Sequence, residues 1–467
     1  MRRMKFVYAF LLSASLLIAG AAFRPVAATA ADGGGPAAAP SAAIHVPLQA
    51  YTLKNGLRVI LSEDHSAPTY SISITYDVGS RNEKVGHTGF AHLFEHMMFE
   101  GSENVGKGEH MILVMNNGGN MNGTTNEDRT NYFETLPANQ LDLGLFLESD
   151  RMRALAINQA NLDNQRNAVQ EERRLGEDNA PYGKTFETLL DLAYDNPAYK
   201  HSTIGSMADL NAASVKDVAD FFKMYYAPNN AVLVLVGDFK PDEAMAKVRK
   251  YFEDIPRQPE PPQPDMTEPA QNGERRKTID DNFAQLPRLD TAYKIPAGNT
   301  PDWYALDVLS DILTGGQSSR MYLELVKEKE LVTNVFAAAF DKRGPSLFLI
   351  GAIMKPGKDI GDVEKAFSAD LERVKTDGVT QAEVDKALAQ DRTGSIRSLQ
   401  STLGRAVLIG QFAVYYHAPD LISTRIEKFQ SVTPADVKRV AQKYLTSNNR
   451  TVVITMPKAA TPAKSGQ

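Results

Sequence analysis

Residues 90–100 read FAHLFEHMMFE, and within them His92, Glu95 and His96 occupy positions i, i+3 and i+4. On a helix these three positions share one face, which turns two imidazoles and a carboxylate the same way. Such a face offers two neutral nitrogen ligands to a zinc ion and sets Glu95 beside a metal-activated water as its general base. Thr88 is the expected N-cap and Gly101 the expected stop, with no proline between, so the pattern predicts a helix of three turns. The remaining positions, Phe90, Ala91, Leu93, Phe94, Met97, Met98 and Phe99, are apolar all round, as in a helix buried inside a domain. The competing reading, a surface helix with two ordinary histidines, sits badly with that composition, because a surface helix keeps a polar face.

Two histidines leave a catalytic zinc site one protein ligand short. The 467 residues contain no cysteine, so thiolate ligands and disulfides are both excluded and the missing ligand must be histidine or carboxylate. The helical stretch from Asn161, NLDNQRNAVQEERRLGED, offers Glu171 and Glu172. Glu172 has Ala168, Val169 and Leu175 as helical neighbours, whereas Glu171 has Asn167, Ala168 and Arg174. A carboxylate pointing into the apolar side needs a cation. The pattern alone leaves open the alternative that both glutamates, with Arg173 and Arg174, form a solvated charged face.

The N-terminal 30 residues read as a targeting segment. Arg2, Arg3 and Lys5 precede an apolar run from Val7 to Phe23, and Ala28-Thr29-Ala30 follows as a small-residue cleavage site. Export is the expectation, with the periplasm as compartment and no stable membrane insertion after cleavage; a retained anchor is the alternative. Residues 31–46, rich in Gly, Pro and Ala, read as a flexible tether. The formal charge of −6 becomes more negative without the basic leader, which argues against nucleic acid as a partner.

Residues 256–274, PRQPEPPQPDMTEPAQNGE, hold six prolines and almost nothing apolar, and predict an extended, semi-rigid linker. It separates a zinc-bearing half, 47–255, from a second half, 275–457, with a disordered tail at 458–467. The halves look like copies of each other. SVKDVADFFKMYYAPNNAVLVLV from Ser214 aligns without a gap on TPADVKRVAQKYLTSNNRTVVIT from Thr433, each reading as a capped helix, an Asn turn and a strand. A weaker match sets FAHLFEHMMFEG on YALDVLSDILTG from Tyr304, where the ligand and base positions become Leu306, Leu309 and Ser310, so the second half is expected to bind no metal there.

In the first half, Tyr51 to Leu61 reads as a hairpin turning at Asn55-Gly56, and Tyr70 to Asp77 as a strand of period two. NMNGTTNEDRTNYFETL follows Gly118-Gly119 as two further strands, and helices are expected near 138–154 and 160–177. The fold class is therefore α+β: two homologous halves, each a mixed sheet with helices packed on one face.

These residues resemble the pitrilysin/insulinase family of zinc peptidases, in particular the bacterial branch similar to the mitochondrial processing peptidase. The resemblance rests on HLFEH at 92–96, RNAVQEE ending at Glu172, GGNMNGTT followed by RTNYF, and the halved architecture. It implies His92, His96 and Glu172 as ligands of one zinc per chain and Glu95 as the base in peptide hydrolysis. It also implies that Asn120 to Thr125, with Asn120, Asn122 and Thr124, is an edge strand on which substrate is laid in extended form; without it, a plain internal strand is the simpler reading. Two features depart from the family. The Arg and Tyr that hold substrate in complete sites are replaced by Val326 and Thr333, and a second carboxylate seven residues before the third ligand is replaced by Gln165. The resemblance then implies a heterodimer in which a homologous second subunit brings the Arg/Tyr pair, with a homodimer as the alternative. A non-catalytic assembly subunit of the same fold is the rival reading of function.

Overall fold

Residues 231–237, AVLVLVG, are buried along their whole length, as in a strand covered on both faces. In the computed structural model, which describes residues 44–458, this run is the centre of the first of two mixed sheets. The expected targeting segment, most of the tether and all of the tail beyond Lys458 lie outside the described residues. The first sheet comprises β1 (Gln49–Thr52), β2 (Arg58–Glu63), β3 (Thr69–Tyr76), β4 (Asn120–Thr125), β5 (Thr130–Pro137) and β6 (Ala231–Gly237), in the order β1-β2-β6-β3-β5-β4. The second comprises β7 (Arg275–Asp281), β8 (Arg288–Ile295), β9 (Val332–Ala339), β10 (Ser346–Met354) and β11 (Arg450–Pro457), in the order β7-β11-β8-β10-β9.

Without β1 the two orders coincide strand for strand, and each sheet has one parallel pair, β2/β6 and β7/β11, among antiparallel neighbours. The sequence repeat is the local expression of this symmetry. Ser214 with Asp217 and Thr433 with Asp436 form capping boxes on the helices Val215–Tyr225 and Pro434–Tyr444. After each helix an asparagine turns the chain into the strand: Asn230 Nδ2 donates to the Tyr225 carbonyl and Asn449 Nδ2 to that of Tyr444, both at 2.8 Å.

Each sheet carries helices of its own half on one face, Phe90–Met97, Leu141–Arg153, Val215–Tyr225 and Pro241–Phe252 on the first and Pro301–Thr314, Ile360–Thr376 and Pro434–Tyr444 on the second. The opposite face is covered by a helix from the other half. Ile409, Phe412 and Ala413 of the helix Thr402–Tyr415 pack with Val232, Val234 and Val236 of the first sheet. In return Leu189, Leu190 and Ala193 of the helix Gly183–Ala193 pack with Ala292, Leu347, Leu349 and Val453 of the second. Periodicity along 402–415 shows an apolar helix but not which sheet it covers. This exchange explains why the small polar residues of β3 are buried: Ser71 Oγ lies 2.8 Å from Thr402 Oγ1, and a Cβ on Gly410 would lie 2.5 Å from Thr75 Oγ1.

Polar contacts also join the halves. Lys342 pairs with Glu127 at 2.7 Å, the Arg343 N–H donates to Asp128 at 3.0 Å, and the Gly344 N–H donates at 3.0 Å to the Tyr199 hydroxyl, which itself donates to Asp128 at 2.6 Å. Residues 256–274 form neither helix nor strand, yet the segment is fastened down: Glu268 accepts from the Asp195 and Asn196 N–H groups, each at 3.0 Å, and from Lys294 at 2.5 Å. At the start of the described chain, Val46 is buried and donates to Ser423 Oγ at 3.0 Å, so this end of the expected tether is docked.

Candidate metal centre

The helix bearing His92, Glu95 and His96 runs from Phe90 to Met97, shorter than the three turns expected. Its axis is fixed by burial: Phe90, Leu93, Phe94 and Met97 are in the core, and the Phe94 ring lies 4.2 Å from that of Tyr226. Thr88 is not the N-cap. Gly89, at φ +87°, holds that place, and Thr88 instead bonds Asp209. The orphan N–H groups of the first turn are met by Glu83, whose buried carboxylate accepts from Gly89 at 2.8 Å and Ala91 at 2.7 Å. Burial pushes that carboxyl well up from its usual range, against the pull of the backbone donors. Beyond Met98 the chain tightens into a final turn, with Phe99 N–H on the His96 carbonyl, and leaves through Gly101 at φ +100°.

Glu172 comes from the last turn of the helix Gln159–Arg173 and meets both histidines. Its Oε2 lies 3.3 Å from His96 Nε2 and 3.7 Å from His92 Nε2, and the three ligand atoms all fall within 4.8 Å of one another. Ligands bonded to zinc at ~2.0–2.1 Å in a tetrahedron stand about 3.4 Å apart, so the separations suit that ion. Glu171 points to solvent and pairs with Arg174 at 3.0 Å, which distinguishes the two glutamates.

The electrostatics also suit a cation. Burial, then the neighbouring His96, pulls the His92 imidazole down to about 4, leaving a neutral ring with a lone pair to offer. His92 Nδ1 is buried without a hydrogen-bond partner among the described residues. His96 is raised, because the Glu172 hydrogen bond and the Glu95 charge outweigh a burial that acts the other way. Its Nδ1 faces Gln165 Oε1 at 3.2 Å. Glu95 stands beside the cluster, raised by burial and partly restored by the Thr125 hydroxyl, which donates to its Oε2 at 2.5 Å.

Among the described residues strand β4 is the outer strand of its sheet, paired only with β5, and it passes directly beside Glu95. Asn126 N–H bonds the Arg129 carbonyl at the turn, so the alternation of an antiparallel ladder leaves the main chain of Met121, Gly123 and Thr125 facing away from β5. Asn120, Asn122 and Thr124, the residues singled out by sequence, are therefore on the edge strand but turn their main-chain groups inward. Asn122 Oδ1 accepts from the Gly123 N–H at 2.9 Å. Gly123 sits in a tight place: a Cβ there would meet Glu95 Cγ at 3.1 Å, Tyr132 at 3.2 Å and Phe99 at 3.3 Å, so these side chains would have to give way by a few tenths of an ångström.

In the second half, Leu306, Leu309 and Ser310 on the helix Pro301–Thr314 are buried at the positions that His92, Glu95 and His96 take in the first half. Val326 packs against the second core, and Thr333 on β9 is exposed. No helix among the described residues is long and apolar enough to cross a membrane.

Two family models match successive stretches of the chain. The insulinase family model (peptidase family M16) matches residues 58–206, and a model described as the peptidase M16 inactive domain matches 212–390. The chain is 32% identical to a zinc protease PqqE of Helicobacter pylori, over 88% of this chain and 93% of that one. It is 24% identical to a probable mitochondrial-processing peptidase subunit beta of Arabidopsis thaliana, over 84% of this chain and 75% of that one. The crystal structure of a protease from Helicobacter pylori superposes with a TM-score of 0.84 at 32% identity, covering 88% of this chain and all of that one.

Proposed function

The chain belongs to the insulinase family, peptidase family M16, and from that premise we propose that it is a zinc metalloendopeptidase acting on peptides or unfolded polypeptide segments. His92, His96 and Glu172 would hold one zinc ion per chain. When bound, zinc supplies Lewis acidity that polarises a scissile carbonyl and acidifies a water. Glu95 takes the proton of the attacking water and passes it to the leaving amine, a role that its burial favours by raising its affinity for a proton. Substrate adds to the sheet along β4, the strand of Asn120, Asn122 and Thr124, by bonding the outward main chain of Met121, Gly123 and Thr125.

The observation that carries this reading is the convergence of two imidazoles and one carboxylate, drawn from two helices, beside a second, half-buried carboxylate. The test is a pair of substitutions. Glu95→Gln is expected to keep zinc and lose peptide cleavage, while His96→Ala loses both; a fully active Glu95→Gln refutes the assignment.

Val326 and Thr333 favour a homologous second subunit that contributes the Arg/Tyr pair, and a homodimer is the alternative. The relative named as a subunit is in keeping with this arrangement. Full cleavage by the monomer would remove the need for a partner. The leader composition supports export to the periplasm, which fractionation of the native protein tests. A non-catalytic assembly subunit would bind no zinc or cleave nothing in any combination with a partner.

A further inference from the structure

Gln165 stands where the family resemblance leads one to expect a carboxylate. Its amide lies between two groups of opposite hydrogen-bonding character: Oε1 is 3.2 Å from His96 Nδ1, and Nε2 donates to Glu100 Oε1 at 2.5 Å. Glu100 is itself buried and paired with Lys107, and Asn164 reaches the same carboxylate oxygen at 3.5 Å. A flipped amide would set its oxygen against the Glu100 carboxylate, so that partner fixes the orientation and turns Oε1 toward His96 Nδ1.

We propose that Glu100 is the remote carboxylate of the metal centre, acting on His96 through Gln165, so that the pair are positioning residues for zinc. The inference rests on the metal reading of His92, His96 and Glu172. Gln165 Oε1 accepts the Nδ1 proton and so keeps Nε2, the atom facing Glu172, free as a ligand. Glu100 polarises the amide and adds electron density to the ring by way of its oxygen. Glutamine is the residue this relay requires: a glutamate at 165 would face Glu100 with like charge, and an apolar residue would leave His96 Nδ1 without its partner and Glu100 with only Lys107 and Asn164.

The test is zinc affinity, measured by competition with a chelating dye on the full chain, with circular dichroism to verify the fold. Gln165→Leu is expected to weaken zinc binding by roughly 10- to 100-fold, the usual cost of losing a partner behind a ligand. Glu100→Gln weakens it less. The double exchange, Gln165→Glu with Glu100→Gln, rebuilds the relay with its charge one step nearer the imidazole, and is expected to bind more tightly than either single variant. Folded Gln165→Leu with affinity within about twofold of the parent, or a double variant no better than Glu100→Gln, would overturn the relay. A parent chain that takes up no zinc, or a His96→Ala chain that binds it equally well, would overturn the metal reading beneath it and the relay together.

Discussion

The Thr125 hydroxyl, on the open edge strand, donates a 2.5 Å hydrogen bond to the Glu95 carboxylate on the helix of His92 and His96. The strand proposed to receive substrate and the proposed base are thereby coupled. Burial raises the Glu95 carboxyl and the Thr125 bond opposes it. Thr125→Val leaves burial opposed only by the weaker pull of the His96 and Arg129 charges, so the acid limb of the kcat/KM profile should move to higher pH. At a pH on that limb, activity should fall about tenfold, the worth of one hydrogen bond to a charged group. An unmoved limb would separate Thr125 from the base.

Gly123 leaves room for the same carboxylate. In Gly123→Val, the added side chain meets Glu95, Tyr132 and Phe99 at van der Waals contact or closer. Zinc content should stay near that of the parent, stability should drop by about 1–3 kcal/mol from overpacking, and cleavage should fall roughly 100-fold as the base is displaced. Steady-state kinetics with metal analysis on one preparation checks the split.

Behind the site, Glu134 and His110 form a buried pair at 3.2 Å, close to the Glu148–Arg151 ion pair. Burial, only partly offset by Arg151, pushes Glu134 from its ordinary 4.5 up to about 8, and burial pulls His110 down to about 3. At Glu134 the folded chain therefore keeps a proton that the unfolded chain releases, whereas at His110 it gives up one that the unfolded chain holds below 6.5, a contribution that parent and variant share. The Glu134 contribution is complete below pH about 4.5 and is lost as pH rises through about 8. Glu134→Gln supplies the donor permanently. Urea melts from pH 5 to 9 should show the parent losing stability relative to the variant as pH increases; parallel curves would assign the proton elsewhere.

Because the helix Thr402–Tyr415 covers Val232, Val234 and Val236, a fragment of residues 47–255 exposes the back of its own sheet. Each such side chain left in water forgoes about 1.5–3 kcal/mol. The fragment alone should aggregate or bind hydrophobic dye, and co-expression with residues 256–467 should restore solubility. A soluble, cooperatively melting fragment would show that the exchanged helix is dispensable.

The sequence was legible where the signal is local. The i, i+3, i+4 face, the Asn turns, the capped helices of the repeat and the lack of ligands at Leu306, Leu309 and Ser310 all depend on near neighbours along the chain. It was illegible where a distant group intervenes. Thr88 has the composition of an N-cap, yet Glu83 does that work from six residues before the cap position, because the chain between loops back over the helix end. Ser71, Ser73 and Thr75 have the polarity of a wetted face, yet a glycine-bearing helix from more than 300 residues away lies on them. Glu172 could be preferred over Glu171 only by its neighbours and by family likeness; in three dimensions they point to different environments.

The helix exchange has a mechanical consequence. With each half roofing the other, and Asp128 at the β4–β5 turn gripped by Tyr199 and Arg343, a hinge inside the chain would have to tear two buried layers at once. In the proposed pair of chains, entry of a polypeptide is then governed by how the two whole chains come together and part, so mutations that alter gating belong on the outer surface of the molecule and not along the seam between its halves.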